Sequence, residues 1–100
     1  MAGQDRPGFV IAQITVTDAK AYESYIAKVD ETLLIYDGRF LVRGGAAQSF
    51  EGEPAGERFV VIKFPTVNAA HAWYHSSAYA PVKKLRQAAS NSVQTIVQGI

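Results

Sequence analysis

The sequence predicts an α+β domain of the ferredoxin-like class, in which a four-stranded antiparallel sheet carries its helices on one face. Four short segments have the apolar pattern of strands, and the segments between them repeat apolar residues every three to four positions. These segments follow one another in the order β-α-β-β-α-β. A chain of 100 residues is long enough for one domain with one hydrophobic core. We expect residues 1–8 to be a flexible tail and residues 9–100 to be that domain.

The first strand and helix have clear boundaries. Phe9 to Val16 is apolar at every even position, which is typical of a strand. Asp18 follows as the expected N-cap of an amphipathic helix of about five turns, whose apolar stripe runs to Tyr36. Asp37-Gly38 is expected to end this helix, because glycine adopts the left-handed C-terminal conformation without a Cβ clash.

The middle of the chain predicts a β-hairpin. Arg39 to Arg43 is the second strand, and the paired Gly44-Gly45 that follows indicates a bulge or the close approach of another group. Residues 46–50 are expected to resume the strand, and residues 51–57 are rich in turn-forming residues. Arg58 to Phe64 is almost continuously apolar and predicts the third strand.

The last third predicts a helix in two pieces and a fourth strand. Thr66 is the expected N-cap of the first piece, and Ser76-Ser77 breaks it. The second piece spans about Tyr79 to Ala89, with Pro81 near its first turn. Ser92 to Gln98 alternates again and predicts the fourth strand.

The predicted sheet has apolar residues on both faces, although the helices cover only one. The uncovered face is expected to carry Phe9 or Val10, depending on register, and part of Phe59-Val60-Val61-Ile62. A monomer seldom exposes so broad an apolar patch. We therefore expect a homodimer in which the two sheets face each other.

Composition excludes several functional classes. The chain has no cysteine, so disulfides, thiolate metal sites and a cysteine nucleophile are excluded. Ten basic and nine acidic residues give a net charge of +1, too small to favour nucleic acid or an anionic membrane as a partner. No apolar run has the length of a membrane span, and the N-terminus lacks the apolar region of a signal peptide. We expect a cytoplasmic protein.

Taken together, these residues resemble the DUF1330 proteins, a family of uncharacterised small bacterial domains. The resemblance extends from residue 9 to residue 98, and its most specific element is "RGG", "FP" and "WY" in that order. The residues that carry it are Phe9-Val10-Ile11, Val16-Thr17-Asp18, Tyr36 through Gly45, Glu51-Gly52, Val61 through Pro65, Ala72-Trp73-Tyr74, Ser76 through Tyr79, and Arg86. The chain departs from the family pattern at His75 and at Ser77-Ala78.

The resemblance implies a dimeric α/β-barrel, in which two ferredoxin-like units pack their sheets together. The wider superfamily includes cofactor-independent oxygenases, isomerases similar to muconolactone isomerase and haem-degrading enzymes. The family itself has no assigned activity to transfer, and a shared fold does not transfer one.

Arg43-Gly44-Gly45 is the first candidate binding site. A guanidinium beside exposed backbone N–H groups can hold a carboxylate or phosphate. Arg39 lies on the same strand face as Arg43 if no bulge intervenes. The alternative is that Arg43 pairs with Glu51 or another carboxylate and that the glycines only bend the strand.

The second helical region supplies the other candidates. Trp73 and Tyr74, with Tyr79, either anchor the helix on the sheet or form the wall of a ligand pocket. His71 and His75 have the four-residue spacing of a metal pair, but Ala72 replaces the glutamate of a zinc-hydrolase motif and no third ligand is near, so no metal is expected. The weak candidates for a catalytic base are His75 and Tyr79.

Three functions remain open. The first is a binding protein that holds a small organic anion, with Arg39, Arg43, Gly44, Gly45, Trp73, Tyr74 and Arg86 as its ligand-binding residues. The second is a cofactor-independent enzyme that acts on an activated aromatic or enolisable substrate, with an arginine stabilising the developing oxyanion. The third is a structural or regulatory dimer without a ligand. None of the three requires a cofactor.

Overall fold

The computed structural model describes residues 6–100 and has the predicted order of elements. Its four strands form one antiparallel sheet in the order β2-β3-β1-β4: β1 (Gly8–Val16), β2 (Arg39–Arg43), β3 (Arg58–Phe64) and β4 (Ser90–Gln98). The helices are α1 (Ala19–Leu33), which continues as a 3-10 turn over Leu34–Tyr36, then α2 (Val67–Tyr74) and α3 (Tyr79–Ala89). The fold is therefore the ferredoxin-like α+β arrangement that the sequence predicts.

Side-chain caps set the helix boundaries. The Asp18 carboxylate accepts a hydrogen bond from the backbone N–H of Ala21 at 3.0 Å, and the Thr66 hydroxyl accepts one from the N–H of Ala69 at 3.0 Å. Both predicted N-caps are confirmed. The predicted C-cap is displaced by one residue, because Asp37 adopts the left-handed conformation, with φ 56°.

The hairpin between β2 and β3 differs from the prediction. A bulge lies between Phe40 and Val42, where the register with β3 shifts. Strand β2 ends at Arg43, so the expectation that residues 46–50 resume it is wrong. Residues 44–57 instead form an irregular connection, which is tied to the sheet by a hydrogen bond from the N–H of Ala55 to Oε1 of Gln13 at 3.0 Å.

The hydrophobic core lies between the helices and the sheet. Even-numbered residues of β1 and β3 point toward the helices and are buried, except for Val16 and Arg58 at the strand ends, which are half-buried. Trp73 on α2 is 1% exposed, and its indole N–H donates to the Thr32 hydroxyl at 2.9 Å. The buried apolar residues are Val10, Ala12, Ile14, Tyr22, Tyr25, Val29, Leu33, Val60, Ile62, Phe64, Ala70, Trp73, Tyr79, Val82 and Ala89.

The opposite face of the sheet carries the odd-numbered residues. Phe9 rather than Val10 lies on this face, and Ile11 pairs there with Val61 on one side and Thr95 on the other. Ile11, Val93 and Val97 are 37%, 50% and 42% exposed. We name this surface the open face of the sheet.

The ends of the domain meet beside the sheet. Residues 1–5 of the expected tail lie outside the described residues, whereas Gly8 already belongs to β1. The N–H of Gly99 donates to the carbonyl of Pro7 at 2.8 Å, which joins the two ends of the described chain. None of the helices in residues 6–100 has both the length and the apolar character to cross a bilayer.

Candidate functional site

A narrow cavity lies between α1, α3 and the helix-facing side of the sheet. The space open to the centre of a water-sized sphere is about 20 Å³, room for one or two water molecules or a group of similar size. Its walls are largely apolar, and the polar side chains among them are two tyrosines, three arginines and a glutamine: Tyr22, Tyr25, Arg43, Arg58, Arg86 and Gln94. We name this space the interior cavity.

Arg86 reaches the interior cavity from α3 and is only 3% exposed. Its Nη1 donates to the Ser92 hydroxyl at 2.8 Å, and its Nε lies 3.4 Å from the hydroxyl of Tyr79. The third nitrogen, Nη2, is buried, and no group in residues 6–100 forms a hydrogen bond with it. Burial acts to lower the pKa of Arg86, but the hydroxyl groups of Tyr79 and Tyr25 reverse this and raise it. The side chain is therefore a buried cation whose partners are neutral.

Arg58 is the second cation at this cavity, and sequence reasoning missed it. Its guanidinium packs against Gly44 so closely that a Cβ at that position would collide with Nη1, and it stands 5.5 Å from the centroid of the Tyr22 ring. The residue is half-buried, and its Nε is a buried nitrogen that has no hydrogen-bond partner among the described residues. A signal was present in the sequence, because Arg58 occupies an even position of β3 in phase with the core residues Val60 and Ile62.

Neither the buried Arg86 nor the half-buried Arg58 is neutralised by a carboxylate in the part of the chain that the structure describes. No carboxylate within residues 6–100 forms an ion pair with Arg58 or Arg86, and no aspartate, glutamate or histidine lines the interior cavity in that part of the chain. A buried charge is normally paired, because removing it from water is costly. The arrangement therefore concentrates uncompensated positive charge in an apolar setting.

Tyrosine hydroxyls add further donors. The hydroxyls of Tyr25 and Tyr79 are 2.9 Å apart and hydrogen bonded. Burial, together with the nearby Tyr79, raises the pKa of Tyr25 well above its ordinary value. Burial also raises the pKa of Tyr22, an effect that the Arg58 guanidinium partly offsets. Tyr22 and Tyr25 are thus protonated at neutral pH and can donate O–H groups to an anion.

The predicted residues of the Arg-Gly-Gly segment are separated by the fold. Arg43 binds Asp30 of α1 with both terminal nitrogens, at 2.7 and 3.2 Å, and its guanidinium lies 4.0 Å from the Phe40 ring centroid. It lines the interior cavity but already has a carboxylate partner, which is Asp30 and not Glu51. The bulge in β2 places Arg39 on the open face, opposite Arg43, with its side chain 76% exposed.

The two glycines differ in environment. Gly44 has φ +69°, and its N–H donates to the carbonyl of Phe59 at 2.8 Å. Arg58 packs directly against Gly44, so the close approach of another group, which the glycine pair predicts, occurs at Gly44. Gly45 lies in open space, since a Cβ at that position would have no atom within 4 Å, and it contacts nothing at the cavity.

A second, open groove lies between α2 and β4. It offers about 280 Å³ to the centre of a water-sized sphere and is lined by Val10, His71, Tyr74, His75, Gln94 and Ile96. The two histidine rings are parallel, with centroids 6.2 Å apart. Within residues 6–100 no group of three or more potential metal ligands is present. We name this space the α2–β4 groove.

The predicted aromatic and catalytic residues divide between the two spaces. Trp73 lines the interior cavity as part of the core, whereas Tyr74 and His75 line the α2–β4 groove. Tyr79 is 1% exposed and forms hydrogen bonds with Tyr25 and Arg86, which line the interior cavity. The two weak candidates for a catalytic base, His75 and Tyr79, therefore lie in different places.

Comparison with solved structures shows similarity to proteins of the same fold. A protein of unknown function from Rhodopseudomonas palustris superposes with a TM-score of 0.78 at 16% identity, covering 96% of this chain and 84% of that one. HapK from Hahella chejuensis gives 0.65 at 20% identity, covering 93% and 92%. SnoaB from Streptomyces nogalater, a cofactor-independent oxygenase, gives 0.62 at 17% identity, covering 96% and 94%.

Comparison with curated proteins gives no match. The family model described as "Domain of unknown function (DUF1330)" matches residues 7–100, nearly the whole chain. This confirms the resemblance seen in the sequence, and the protein belongs to the DUF1330 family.

Proposed function

We propose that the protein binds a small organic anion, whose charged group lies in the interior cavity between Arg58 and Arg86. The observation that carries the proposal is that each of these two guanidiniums has a buried nitrogen, Nε of Arg58 and Nη2 of Arg86, for which residues 6–100 supply neither a hydrogen-bond partner nor a carboxylate. An anion would accept those hydrogen bonds and neutralise the charge at the same time.

The size and polarity of the cavity define the charged group. Arginine and protonated tyrosine present donors, so the ligand must present acceptors. A space of about 20 Å³ suits a carboxylate better than a phosphate, which carries one more oxygen and more charge. We therefore assign the charged group as a carboxylate.

A thermal-shift and calorimetric titration with acetate tests this proposal. Acetate should raise the melting temperature of the wild-type protein, by an amount that follows the ratio of ligand concentration to Kd. Arg86→Met should abolish the shift. Arg39→Met is the matched control, because Arg39 is exposed on the open face and should leave acetate binding intact. Equal acetate binding by the wild-type and Arg86→Met proteins would overturn the proposal.

We also propose that the protein is a homodimer formed through the open face. This surface exposes Ile11 of β1 and, diagonally across from it on the paired strand β4, Val93 and Val97. A second copy would remove these side chains from water. Ile11→Asp should convert the dimer to a monomer in light scattering coupled to size exclusion. Leu34→Asp is the control, because Leu34 is 78% exposed and belongs to the 3-10 turn, not to a strand of the open face. A wild-type monomer would refute the assignment.

A second candidate function is cofactor-independent catalysis, favoured by the hydrogen-bonded Tyr25–Tyr79 pair beside Arg86 and by the shared fold with the oxygenase SnoaB. Arg86 would then stabilise a developing oxyanion, and His75 in the α2–β4 groove would serve as base. Phenylpyruvate is a suitable probe, because it has a carboxylate and an enolisable carbon. With the wild-type protein, the rate of deuterium exchange at that carbon and the rate of oxygen uptake should both exceed the rates in buffer alone. Both rates should fall in His75→Ala. Rates equal to those in buffer alone would exclude catalysis on phenylpyruvate.

A further inference from the structure

We propose that the bound anion is an aromatic carboxylate, with its carboxylate in the interior cavity and its ring in the α2–β4 groove. This inference rests on the proposed function, because it assigns the carboxylate to Arg58 and Arg86. The two spaces differ greatly in size, about 20 Å³ against about 280 Å³. The first accommodates a charged head group alone, whereas the second accommodates a six-membered ring.

The two spaces are neighbours. Val10 and Gln94 line both of them, so one molecule can reach from the groove to the arginines. Val10 is 1% exposed in the centre of β1 and is held by its strand. Gln94 is half-buried, and its amide group is at the end of a flexible side chain. Movement of Gln94 therefore opens the passage between the groove and the interior cavity.

Hydrogen bonds connect Gln94 to the arginine site. Nε2 of Gln94 donates to the Ser92 hydroxyl at 3.1 Å, and the same hydroxyl accepts from Nη1 of Arg86 at 2.8 Å. When Gln94 turns away, Ser92 still has Arg86 as its partner. The amide N–H₂ of Gln94 is then free to donate to the incoming carboxylate, so Gln94 is a positioning residue for the ligand.

The walls of the groove suit a planar ring. Tyr74 stands at 5.3 Å and 85° to the His75 ring, and the rings of His71 and His75 lie within 5° of parallel. The Lys83 ammonium is 4.1 Å from the Tyr74 ring centroid and donates to the Tyr74 carbonyl at 3.0 Å, which fixes that ring. Ile96 supplies an apolar surface opposite the helix. Aromatic rings pack by stacking or edge contact against such surfaces.

Calorimetry with three probes tests the inference: acetate, benzoate and benzamide. Benzoate should bind at least about tenfold more tightly than acetate, because its ring buries apolar area in the groove. Benzamide has the same ring without the charge and should bind at least about tenfold more weakly than benzoate. Benzoate and acetate of equal affinity would overturn this inference and leave the proposed function standing. Failure of both anions to bind would overturn the proposed function and this inference with it.

Variants that fill the groove locate the ring. Ile96→Phe should remove the advantage of benzoate over acetate, and His75→Trp, at an exposed position on the groove rim, should do the same without disturbing the core. Ala72→Trp is the matched control, because Ala72 is exposed on α2 and does not line the groove. If benzoate keeps its advantage in both groove variants, its ring binds elsewhere and the inference is wrong.

Discussion

Replacing Arg86 by methionine is expected to stabilise the ligand-free protein while abolishing anion binding. Methionine retains an apolar side chain of similar length and removes the charge. Arg86 is 3% exposed, and the hydrogen bonds that its side chain makes within residues 6–100 go to neutral hydroxyls, those of Ser92 and Tyr79. Without an anion, the protein therefore bears the desolvation cost of a buried cation, which amounts to several kcal/mol.

The magnitude follows from three contributions. The substitution removes the desolvation cost of about 4 kcal/mol and loses one good charge-assisted hydrogen bond, to Ser92, worth about 2 kcal/mol. It also enlarges the cavity by roughly 30 Å³, which costs about 0.7 kcal/mol at about 24 cal/mol per Å³. The net effect is a gain of about 1 kcal/mol in the free energy of unfolding, or about 4–8 °C in Tm for a chain of this size.

Chemical denaturation in anion-free buffer and thermal-shift titration with acetate measure the two halves of the prediction. In chemical denaturation, Arg86→Met should unfold at a higher denaturant concentration than the wild-type protein. In the thermal-shift titration, acetate should raise the melting temperature of the wild-type protein and leave that of Arg86→Met unchanged. A loss of more than about 2 kcal/mol in Arg86→Met would refute the reasoning. That result would mean that the contacts of Arg86 with Ser92 and Tyr79 stabilise the fold, and that Arg86 has a structural role and not a ligand-binding one.

Three further predictions concern the surroundings of the cavity. Gly44→Ala should lower the free energy of unfolding, measured by urea denaturation, by about 1–2 kcal/mol, because alanine is strained in the left-handed conformation and would displace the Arg58 side chain. Gly45→Ala is the control and should change the same free energy by less than about 0.5 kcal/mol. Equal effects of the two substitutions would contradict the reasoning. Because the pKa of Tyr25 is raised in the folded state, the free energy of unfolding should not depend on Tyr25 below pH 10 and should fall above it, by up to about 1.4 kcal/mol per pH unit. In Tyr25→Phe the free energy of unfolding should fall less steeply at alkaline pH. An unchanged slope would exclude Tyr25 as the cause. Asp30→Asn should cost at most about 1 kcal/mol in urea denaturation, because the ion pair with Arg43 is partly solvated, and a larger loss would show that the pair anchors β2.

Local sequence signals predicted the elements of the fold well, because each depends on residues close together in the chain. Asp18 and Thr66 cap their helices, and the bounds of β2, β3 and α3 agree with the sequence patterns. Alternation along β1 separates the core from the open face once one face is known to be covered. The family was recognisable for the same reason, since its motifs are short and consecutive.

The candidate site depended on information that the sequence pattern does not contain. The bulge between Phe40 and Val42 places Arg39 and Arg43 on opposite faces of the sheet, and no local residue preference predicts this bulge. Whether an arginine is neutralised depends on which side chains a distant element brings near. Asp30 of α1 reaches Arg43 across 13 residues, whereas nothing acidic in residues 6–100 pairs with Arg58 or Arg86.

The sequence by itself determined the order of strands and helices, the apolar faces and the family, because hydrophobic period and capping are local properties. Only the tertiary structure decided which charges lie together inside the fold. Arg58 and Arg86 stand 28 positions apart, on a strand and a helix, and meet at one cavity because Arg58 lies on the face of the sheet that the helices cover. Burial and pairing are properties of that packing, and they distinguish two ordinary arginines from a candidate anion site.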